Sequence, residues 1–156
     1  MTKKAIKISR YLNNRGAILL DILISIGIIA LLTTISTPYL HAFQSDLQLN
    51  GAAKNLTSDL RYAQQLTISE QNIYEVELDP SLNNYSIVKT GSATTTIKSV
   101  ALPQGVEFSQ IDAVLNNEVI FNSFGGVNES GAIVLSNNTK TETINVKPSG
   151  YIQLSQ

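Results

Sequence analysis

An apolar run that contains a single carboxylate constrains this chain more than any other feature. Residues 17–35 are mostly Ile, Leu and Ala, and Asp21 is the only charged residue among them. The run is about 19 residues long, close to the ~20 that a helix needs to cross the hydrocarbon core of a bilayer. An Asp at the centre of such a helix costs about 2.5 to 3.5 kcal/mol on insertion scales, so charges within membranes tend to be paired and functional. We therefore expect Asp21 to have a cationic partner.

A short basic leader precedes the apolar run. It contains no acidic residue before Gly16, and the next basic residue after the run is Lys54. The positive-inside rule places such a leader in the cytoplasm and the residues beyond Pro38 in the periplasm or outside the cell. If the chain were cut after Gly16, the new α-amine of Ala17 would lie about 6 Å along the helix from Asp21, at 1.5 Å rise per residue. The basic residues of the leader are Lys3, Lys4, Lys7, Arg10 and Arg15.

This N-terminus resembles that of type IV prepilins and of the pseudopilins of type II secretion. Those proteins have a basic leader that ends in Gly, then an apolar segment with an acidic residue fifth and a proline twenty-second after the cleavage point. Counted from Ala17, Asp21 is fifth and Pro38 is twenty-second. The family's acid is normally Glu and its first residue normally Phe, so Asp21 and Ala17 depart from the pattern. The resemblance implies that prepilin peptidase cuts between Gly16 and Ala17 and N-methylates Ala17, and that Asp21 pairs with the amine of the adjacent subunit in a helical filament.

Two plainer interpretations of the N-terminus remain open. A secretory signal peptide also has a basic and an apolar region, but its apolar region usually covers about 7 to 15 residues and ends at a small-x-small cleavage site. Here the run is longer, and Pro38 directly follows Ser36 and Thr37. The second interpretation is a plain membrane anchor in which the Asp21 side chain only snorkels.

After Pro38 the sequence predicts an amphipathic helix that ends near residue 69. Apolar residues recur there with the i, i+3, i+4, i+7 spacing of one helix face, which would pack other subunits or the chain's own sheet. We expect Pro38 to bend the helix rather than end it, because proline removes one backbone donor and clashes with the preceding turn. The positions of this face are Leu40, Phe43, Leu47, Ala53, Leu56, Leu60, Ala63 and Thr67.

From residue 72 onward the pattern is that of β-strands joined by short turns. In the first strand Tyr74 and Val76 alternate with Glu75 and Glu77, which predicts one polar face. Turn residues at short spacing predict an antiparallel sheet domain, and the Ser/Thr/Gly-rich residues 90–96 predict a mobile loop. The predicted strands cover residues 73–78, 85–89, 97–102, 106–108, 119–122, 132–135, 143–146 and 151–154.

Motifs in this half resemble the GspH/FimT branch of minor pseudopilins and minor pilins. They are Leu60-Arg61-Tyr62-Ala63-Gln64-Gln65-Leu66, Leu102-Pro103-Gln104-Gly105-Val106, Ile120-Phe121 followed by Gly125, and Ile144 to Val146 followed by Gly150-Tyr151-Ile152. The resemblance implies an α+β fold in which a long kinked N-terminal helix packs on an antiparallel β-sheet domain, and a low-copy position at or near the filament tip. It divides the chain into a prepilin leader (1–16), a transmembrane and filament-core helix half (17–37), an amphipathic helix half (38–70) and a β-rich globular domain (71–156).

The residues that catalysis or cofactor binding would need are not grouped in this sequence, so we expect no enzyme activity, cofactor or metal. His41 is the only histidine, and no nucleophile or second ligand stands at useful spacing from it. The glycine-rich residues 125–131 lack the lysine and the following helix of a phosphate loop. Cys is absent, which excludes disulfides and thiolate metal sites.

The charge balance disfavours nucleic acid as a partner. After Gly16 the chain has six basic against 12 acidic residues. Phosphate contact requires several positive groups, and FimT-like minor pilins that take up DNA carry clustered Arg near the C-terminus, where residues 147–154 have one Lys and no Arg. Lys140, Lys147 and Tyr151 are the remaining candidates for such contacts.

Three hypotheses follow for function. The first is a minor pseudopilin of a type II secretion filament, a single-pass inner-membrane protein acting in protein secretion. Its partners would be prepilin peptidase, other major and minor pseudopilins, the inner-membrane assembly platform and membrane lipid. The second is a type IV minor pilin of the FimT kind, acting in pilus assembly or DNA uptake. The third is an anchored adhesin-like domain that never enters a filament.

Overall fold

The computed structural model describes residues 14–91, 93–112 and 115–155, so most of the predicted leader lies outside the described residues. The chain divides into two compact units after His41. One helix, α1, runs from Asn14 to Glu70 and contributes to both units. It continues through Pro38 without interruption, as expected, and the kink at this proline stays a prediction.

In the first unit α1 exposes its apolar side chains. Every side chain described between Gly16 and Thr37 is exposed. The most apolar window of α1 has a mean hydropathy of 2.6, and none of that window is buried. Among the described residues, α1 is the one helix long and apolar enough to cross a membrane.

The hydroxyl side chains in this apolar part bond to the helix backbone. Each donates to the carbonyl oxygen four residues earlier, at 2.8 to 2.9 Å. Such bonds use the hydroxyl hydrogen locally, so that these side chains present no free donor to an apolar environment. The residues are Ser25, Thr33, Thr34, Ser36 and Thr37.

The second unit contains eight described strands in two antiparallel four-stranded sheets. The strands are β1 (Ile73–Asp79), β2 (Asn84–Thr90), β3 (Thr95–Ala101), β4 (Glu107–Asp112), β5 (Glu118–Phe121), β6 (Gly131–Ser136), β7 (Thr141–Val146) and β8 (Ile152–Ser155). The strand orders are β3-β2-β1-β5 in the first sheet and β4-β6-β7-β8 in the second. A short 3-10 turn, Leu115–Asn117, precedes β5.

One face of α1 and the inner faces of both sheets share a single core. Leu56 and Leu60 of the helix are fully buried in it, together with Phe121 of one sheet and Ile144 of the other. The predicted helix face is therefore confirmed from Ala53 to Thr67, all of whose predicted positions are buried. The alternating burial along β1 also confirms the predicted polar face of that strand.

The N-terminal part of the predicted face is exposed. Leu40, Phe43 and Leu47 stay exposed, Leu47 at 56%. For Phe43 and Leu47, which belong to the second unit, packing on the chain's own sheet is wrong, and packing on other subunits stays a prediction. The core begins at Leu49, and the β6–β7 turn approaches the helix just before it through polar contacts. There the side-chain amide of Asn137 donates to Ser45 Oγ at 3.0 Å and to Asp46 Oδ1 at 3.1 Å, and Lys140 pairs with Asp46.

All eight predicted strands are present, and their boundaries differ from the predictions by at most two residues except at the end of β4, where the difference is four residues. β3 begins at Thr95, so the predicted loop is shorter, and Thr95 pairs with Lys89 of β2. β4 extends from Glu107 to Asp112 instead of ending at Phe108. Its polar C-terminal half is held by pairing with β6 across a bulge, a tertiary constraint that outweighs the weak strand preference of these residues.

A buried carboxylate connects α1 to the first sheet. Asp59 accepts a hydrogen bond from the Tyr85 hydroxyl at 2.8 Å and two from Lys98 Nζ at 2.7 and 2.8 Å. Burial, and after it the hydrogen bond to Asp59, raises the pKa of Tyr85 well above its ordinary value. The phenol is therefore held in its neutral, donating form.

Candidate functional site

The predicted processing residues all lie in the first turns of α1. Gly16, Ala17 and Asp21 are helical and exposed. A Cβ atom added at Gly16 would meet nothing within 4 Å, so packing against the described residues gives no reason for a glycine there. No side chain whose position the structure describes pairs with the Asp21 carboxylate, and Ser25 bonds only the Asp21 backbone oxygen, at 2.8 Å. An intermolecular partner for Asp21 therefore stays a prediction.

The motif at the end of the helix meets two of the C-terminal motifs. The side-chain amide of Gln64 donates to the backbone oxygen of Gly125 at 2.6 Å and to that of Gly150 at 2.9 Å. One turn earlier, Arg61 Nη2 donates to the Ile152 carbonyl at 3.1 Å. The helix thus holds together the loop after β5 and the β7–β8 turn.

The glycines of these motifs are required by close backbone approach. Gly150 has φ +77°, and a Cβ atom on it would lie 1.9 Å from the Gly125 oxygen. Gly125 has φ +79°, and its Cβ would lie 2.7 Å from Ile68 Cδ1. Only glycine adopts this conformation at no steric cost and leaves room for the neighbouring chain.

The remaining motif, residues 102–106, forms the connection between the two sheets. Leu102 N donates to Asn83 O at 2.8 Å, and Val106 N donates to Pro103 O at 3.0 Å. Val106 is buried in the core. These contacts give the motif a structural role, since they fix the passage from β3 to β4.

The other residues singled out by the sequence lie apart from one another. His41 is exposed beside Thr34 and Thr37, and no group of three His, Cys, Asp or Glu side chains in the described ranges is placed to hold a metal ion. Glu70 accepts from Lys89 Nζ at 2.7 Å and from the Tyr74 hydroxyl at 2.6 Å, and the lysine chiefly lowers the pKa of this carboxyl.

Of the three candidates for nucleic-acid contact, Lys140 is engaged by Asp46. The other two contact each other, because Lys147 Nζ lies 5.5 Å from the centre of the Tyr151 ring. Lys140 directly precedes β7 and Lys147 directly follows it, so the two lysines lie at opposite ends of that strand and not in one basic patch.

Solved structures define the fold class of the chain. The type IV minor pilin FimU of Pseudomonas aeruginosa superposes with a TM-score of 0.60 at 16% identity, over 73% of this chain and 92% of FimU. The minor pseudopilin EpsH from the type 2 secretion system of Vibrio cholerae gives 0.56 at 12% identity, over 69% of this chain and 96% of EpsH. A second EpsH structure gives 0.59 at 9% identity, over 69% and 92% of the two chains. The predicted α+β fold, a long helix packed on antiparallel sheets, is confirmed.

The sequence identifies the family within this fold class. Residues 52–150 match the family described as Type II transport protein GspH. A search by sequence among curated proteins gives no significant match. The chain belongs to the GspH family, which confirms the resemblance inferred from its motifs.

Proposed function

We propose that this chain is a minor pseudopilin, a structural and non-enzymatic subunit at or near the tip of a type II secretion filament, acting in protein secretion. One observation carries the proposal. The GspH-family domain continues, within the same helix α1, an exposed apolar segment whose only charge is Asp21. Such a segment requires lipid or other apolar helices around it, because exposure to water costs roughly 25 cal/mol per Å² of apolar surface.

Processing at the start of α1 is the second part of the proposal. Prepilin peptidase removes residues 1–16 and N-methylates Ala17, and the Asp21 carboxylate then pairs with the amine of a neighbouring subunit. The position of Gly16 at the end of the basic leader supports cleavage there, since the prepilins that this N-terminus resembles are cut after such a glycine. The cost of an unpaired carboxylate among apolar groups supports an intermolecular partner for Asp21.

The proposed location follows from the charge distribution. The leader, with its five basic residues, stays in the cytoplasm, residues 17–37 cross the inner membrane, and residues 38–70 continue the helix into the globular domain (71–156), which faces the periplasm or the cell exterior. The partners are prepilin peptidase, the other major and minor pseudopilins, the inner-membrane assembly platform and membrane lipid.

Intact mass and N-terminal sequencing of the membrane-extracted protein test this function. We expect a chain that begins at methylated Ala17, and loss of cleavage in Gly16→Ala. Gly27→Ala is the matched control, because it also adds a Cβ in open space on the same helix and should be cleaved normally. An uncut wild-type chain, or one cut beyond Pro38, would contradict the proposal and leave an anchored or secreted β-domain.

The likeness to FimU favours one second candidate, a type IV minor pilin acting in pilus assembly or DNA uptake. Two measurements separate the candidates. Deletion of the gene should abolish protein secretion in the first case, and pilus assembly or DNA uptake in the second. Retention on DNA at low salt that is lost as salt rises would favour the uptake function.

A further inference from the structure

An open groove lies between the end of α1 and the β7–β8 turn. Its volume is about 680 Å³. One wall is a single face of the helix, and the other wall is the turn into β8. The lining residues are Arg61, Gln64, Gln65, Ile68 and Ser69 from the helix, and Gly150, Tyr151 and Ile152 from the turn.

The charge of this groove is opposite to that of the chain around it. Arg61 is the only charged residue that lines it, and Lys147 stacks over the lining residue Tyr151. In the described part of the chain the ion-paired cations are Lys89, Lys98 and Lys140, so neither Arg61 nor Lys147 has a carboxylate partner there. One cation without a carboxylate partner thus lines the groove, and a second lies over a ring that lines it, on a chain with an excess of acidic residues.

Exposed apolar groups border the same groove. Ile68 and Tyr151 are exposed, and Phe124 is 95% exposed. Phe124 precedes Gly125, which packs against Ile68 and accepts a hydrogen bond from Gln64, so the loop that carries the phenyl ring adjoins the groove. An exposed aromatic ring on a loop next to a groove lined by an arginine is the composition of an interface anchor.

The hydrogen-bonding groups of the groove suit a carboxylate in an extended chain. Arg61 donates to the Ile152 carbonyl through Nη2. A guanidinium has five N–H donors, and its free donors match both oxygens of a carboxylate. Gln65 is exposed and offers a further amide along the same wall.

We propose that this groove binds an extended, carboxylate-bearing segment of another filament subunit. A peptide is favoured over nucleic acid because two cations satisfy one or two carboxylates, whereas affinity for a nucleic acid grows with the number of phosphates neutralised. In naming a filament subunit as the source, the inference rests on the proposed function. The chemistry of the groove does not depend on cleavage at Gly16.

Binding of short peptides to the full chain in detergent micelles tests the groove. The probe is a fluorescein-labelled peptide of alternating leucine and aspartate, compared by anisotropy with the matched leucine–asparagine peptide and a labelled oligothymidine. We expect the aspartate peptide to bind more tightly than both. Arg61→Gln should weaken it at least about tenfold, the loss of one charge-assisted contact, and Phe124→Ser should weaken it at least about threefold.

Two matched variants control for charge and for exposed apolar area. Lys54→Gln removes an exposed cation outside the groove, and Leu82→Ser removes an exposed apolar side chain at the β1–β2 turn; both should bind as wild type does. If Arg61→Gln unfolds, Phe124→Ser remains decisive, because a side chain 95% exposed contributes little to the core. Absence of binding at millimolar peptide, equal binding by all variants, or tighter binding of oligothymidine overturns the inference.

The source of the segment is tested in cells. A photo-crosslinking benzoylphenylalanine in place of Phe124 should capture an identified protein with a prepilin-type N-terminus, through a peptide that contains Asp or Glu. Cross-links only to lipid, nucleic acid or proteins without that N-terminus contradict the proposed source. The Gly16→Ala chain should bind the aspartate peptide as wild type does, so a failure of processing and a failure of the groove give different results.

Discussion

The side-chain amide nitrogen of Gln64 lies 2.9 Å from the backbone oxygen of Gly150. The same nitrogen lies 2.6 Å from the Gly125 oxygen. One helical residue therefore donates to two backbone carbonyls, one in the loop after β5 of the first sheet and one in the turn after β7 of the second sheet. Together with the direct bond from Val127 N to Pro148 O at 3.1 Å, this side chain ties the ends of both sheets to each other and to the helix.

Replacing Gln64 by leucine should destabilise the second unit by about 1–3 kcal/mol, the cost of leaving buried acceptors without donors. Gln65→Leu is the control, because Gln65 is exposed and makes no hydrogen bond in the described part of the chain; its effect should stay within about 0.5 kcal/mol. Urea unfolding of the full chain in micelles gives both values. Equal effects of the two substitutions would show that the two carbonyls do not need Gln64.

Gly150→Ala should cost more stability than Gly105→Ala. Both glycines have positive φ, +77° and +82°, so an alanine at either position pays a strain of about 1–2 kcal/mol. At Gly105 the added Cβ meets nothing within 4 Å, whereas at Gly150 it would lie 1.9 Å from the Gly125 oxygen. The difference between the stability losses of the two variants measures the steric clash at Gly150. A difference near zero would contradict the close approach of Gly150 to the Gly125 oxygen.

Leu60→Ala should destabilise the second unit by about 2–5 kcal/mol, since it opens a cavity among fully buried groups. Leu47→Ala, on the same helix but 56% exposed, should change the unfolding free energy by no more than about 0.5 kcal/mol. Thermal unfolding followed by circular dichroism checks the pair. A large loss of stability in Leu47→Ala would mean that the core extends further along α1 than Leu49.

Tyr85 should make the fold sensitive to alkali. The folded pKa of Tyr85 lies above its ordinary value of 10.0, so this stabilisation is complete below pH 10 and declines as the pH rises toward the folded pKa. Above pH 10 the unfolded chain loses the phenol proton while the folded chain keeps it, and the unfolding free energy falls by about 1.4 kcal/mol per pH unit.

Urea unfolding at several pH values between 9 and 11.5 measures this slope. In Tyr85→Phe the unfolding free energy should fall less steeply above pH 10, by about 1.4 kcal/mol per pH unit, because one proton fewer is released on unfolding. The same substitution removes a donor to Asp59, so stability at neutral pH should fall by about 1 kcal/mol. Tyr62→Phe, an exposed tyrosine on α1, controls for the loss of a phenol as such. Identical slopes in wild type and Tyr85→Phe would contradict a raised pKa of Tyr85 in the folded chain.

Asp21→Asn should leave cleavage after Gly16 intact and reduce recovery in the sheared filament fraction about tenfold or more. A tenfold change corresponds to about 1.4 kcal/mol, so loss of an ion pair that offsets this much of the cost of burying Asp21 would reduce assembly by that factor. Asp21→Glu keeps the charge and should assemble. Immunoblots of the membrane and filament fractions measure both steps, and normal assembly of the asparagine variant would remove the proposed intersubunit pair.

Much of the fold was predictable from local pattern. The alternation of Tyr74 and Val76 with two glutamates predicts the burial along β1, and the spacing of Leu56 and Leu60 predicts the buried helix face. β4 was not predictable in its full length, because its C-terminal half is polar and is held by β6. The exposure of Leu47 was not predictable either, since periodicity shows which face is apolar but not where the sheets begin to cover it.

Of the candidate sites, the residues at the start of α1 were predicted from the sequence and the groove at its end was not. Gly16, Ala17 and Asp21 were singled out by the resemblance of the N-terminus to prepilins, and their roles stay predictions because their proposed partners belong to other molecules. The groove beside Arg61 was missed, because its walls come from residues about 90 positions apart that only the fold brings together. The sequence did show Gly125 and Gly150 after two predicted strands, which indicated a motif at each position. It did not show that the two glycines meet beside Gln64.

The backbone-bonded hydroxyls of α1, from Ser25 to Thr37, bear on how a subunit would travel from bilayer to filament. Each of these five bonds is internal to the helix, so the hydroxyl groups are satisfied whether lipid chains or neighbouring helices surround them. Exchanging one for the other requires no hydrogen bond of this set to break. Under the proposed function, movement from the membrane into the filament would exchange the apolar neighbours of this segment and leave these five hydrogen bonds in place.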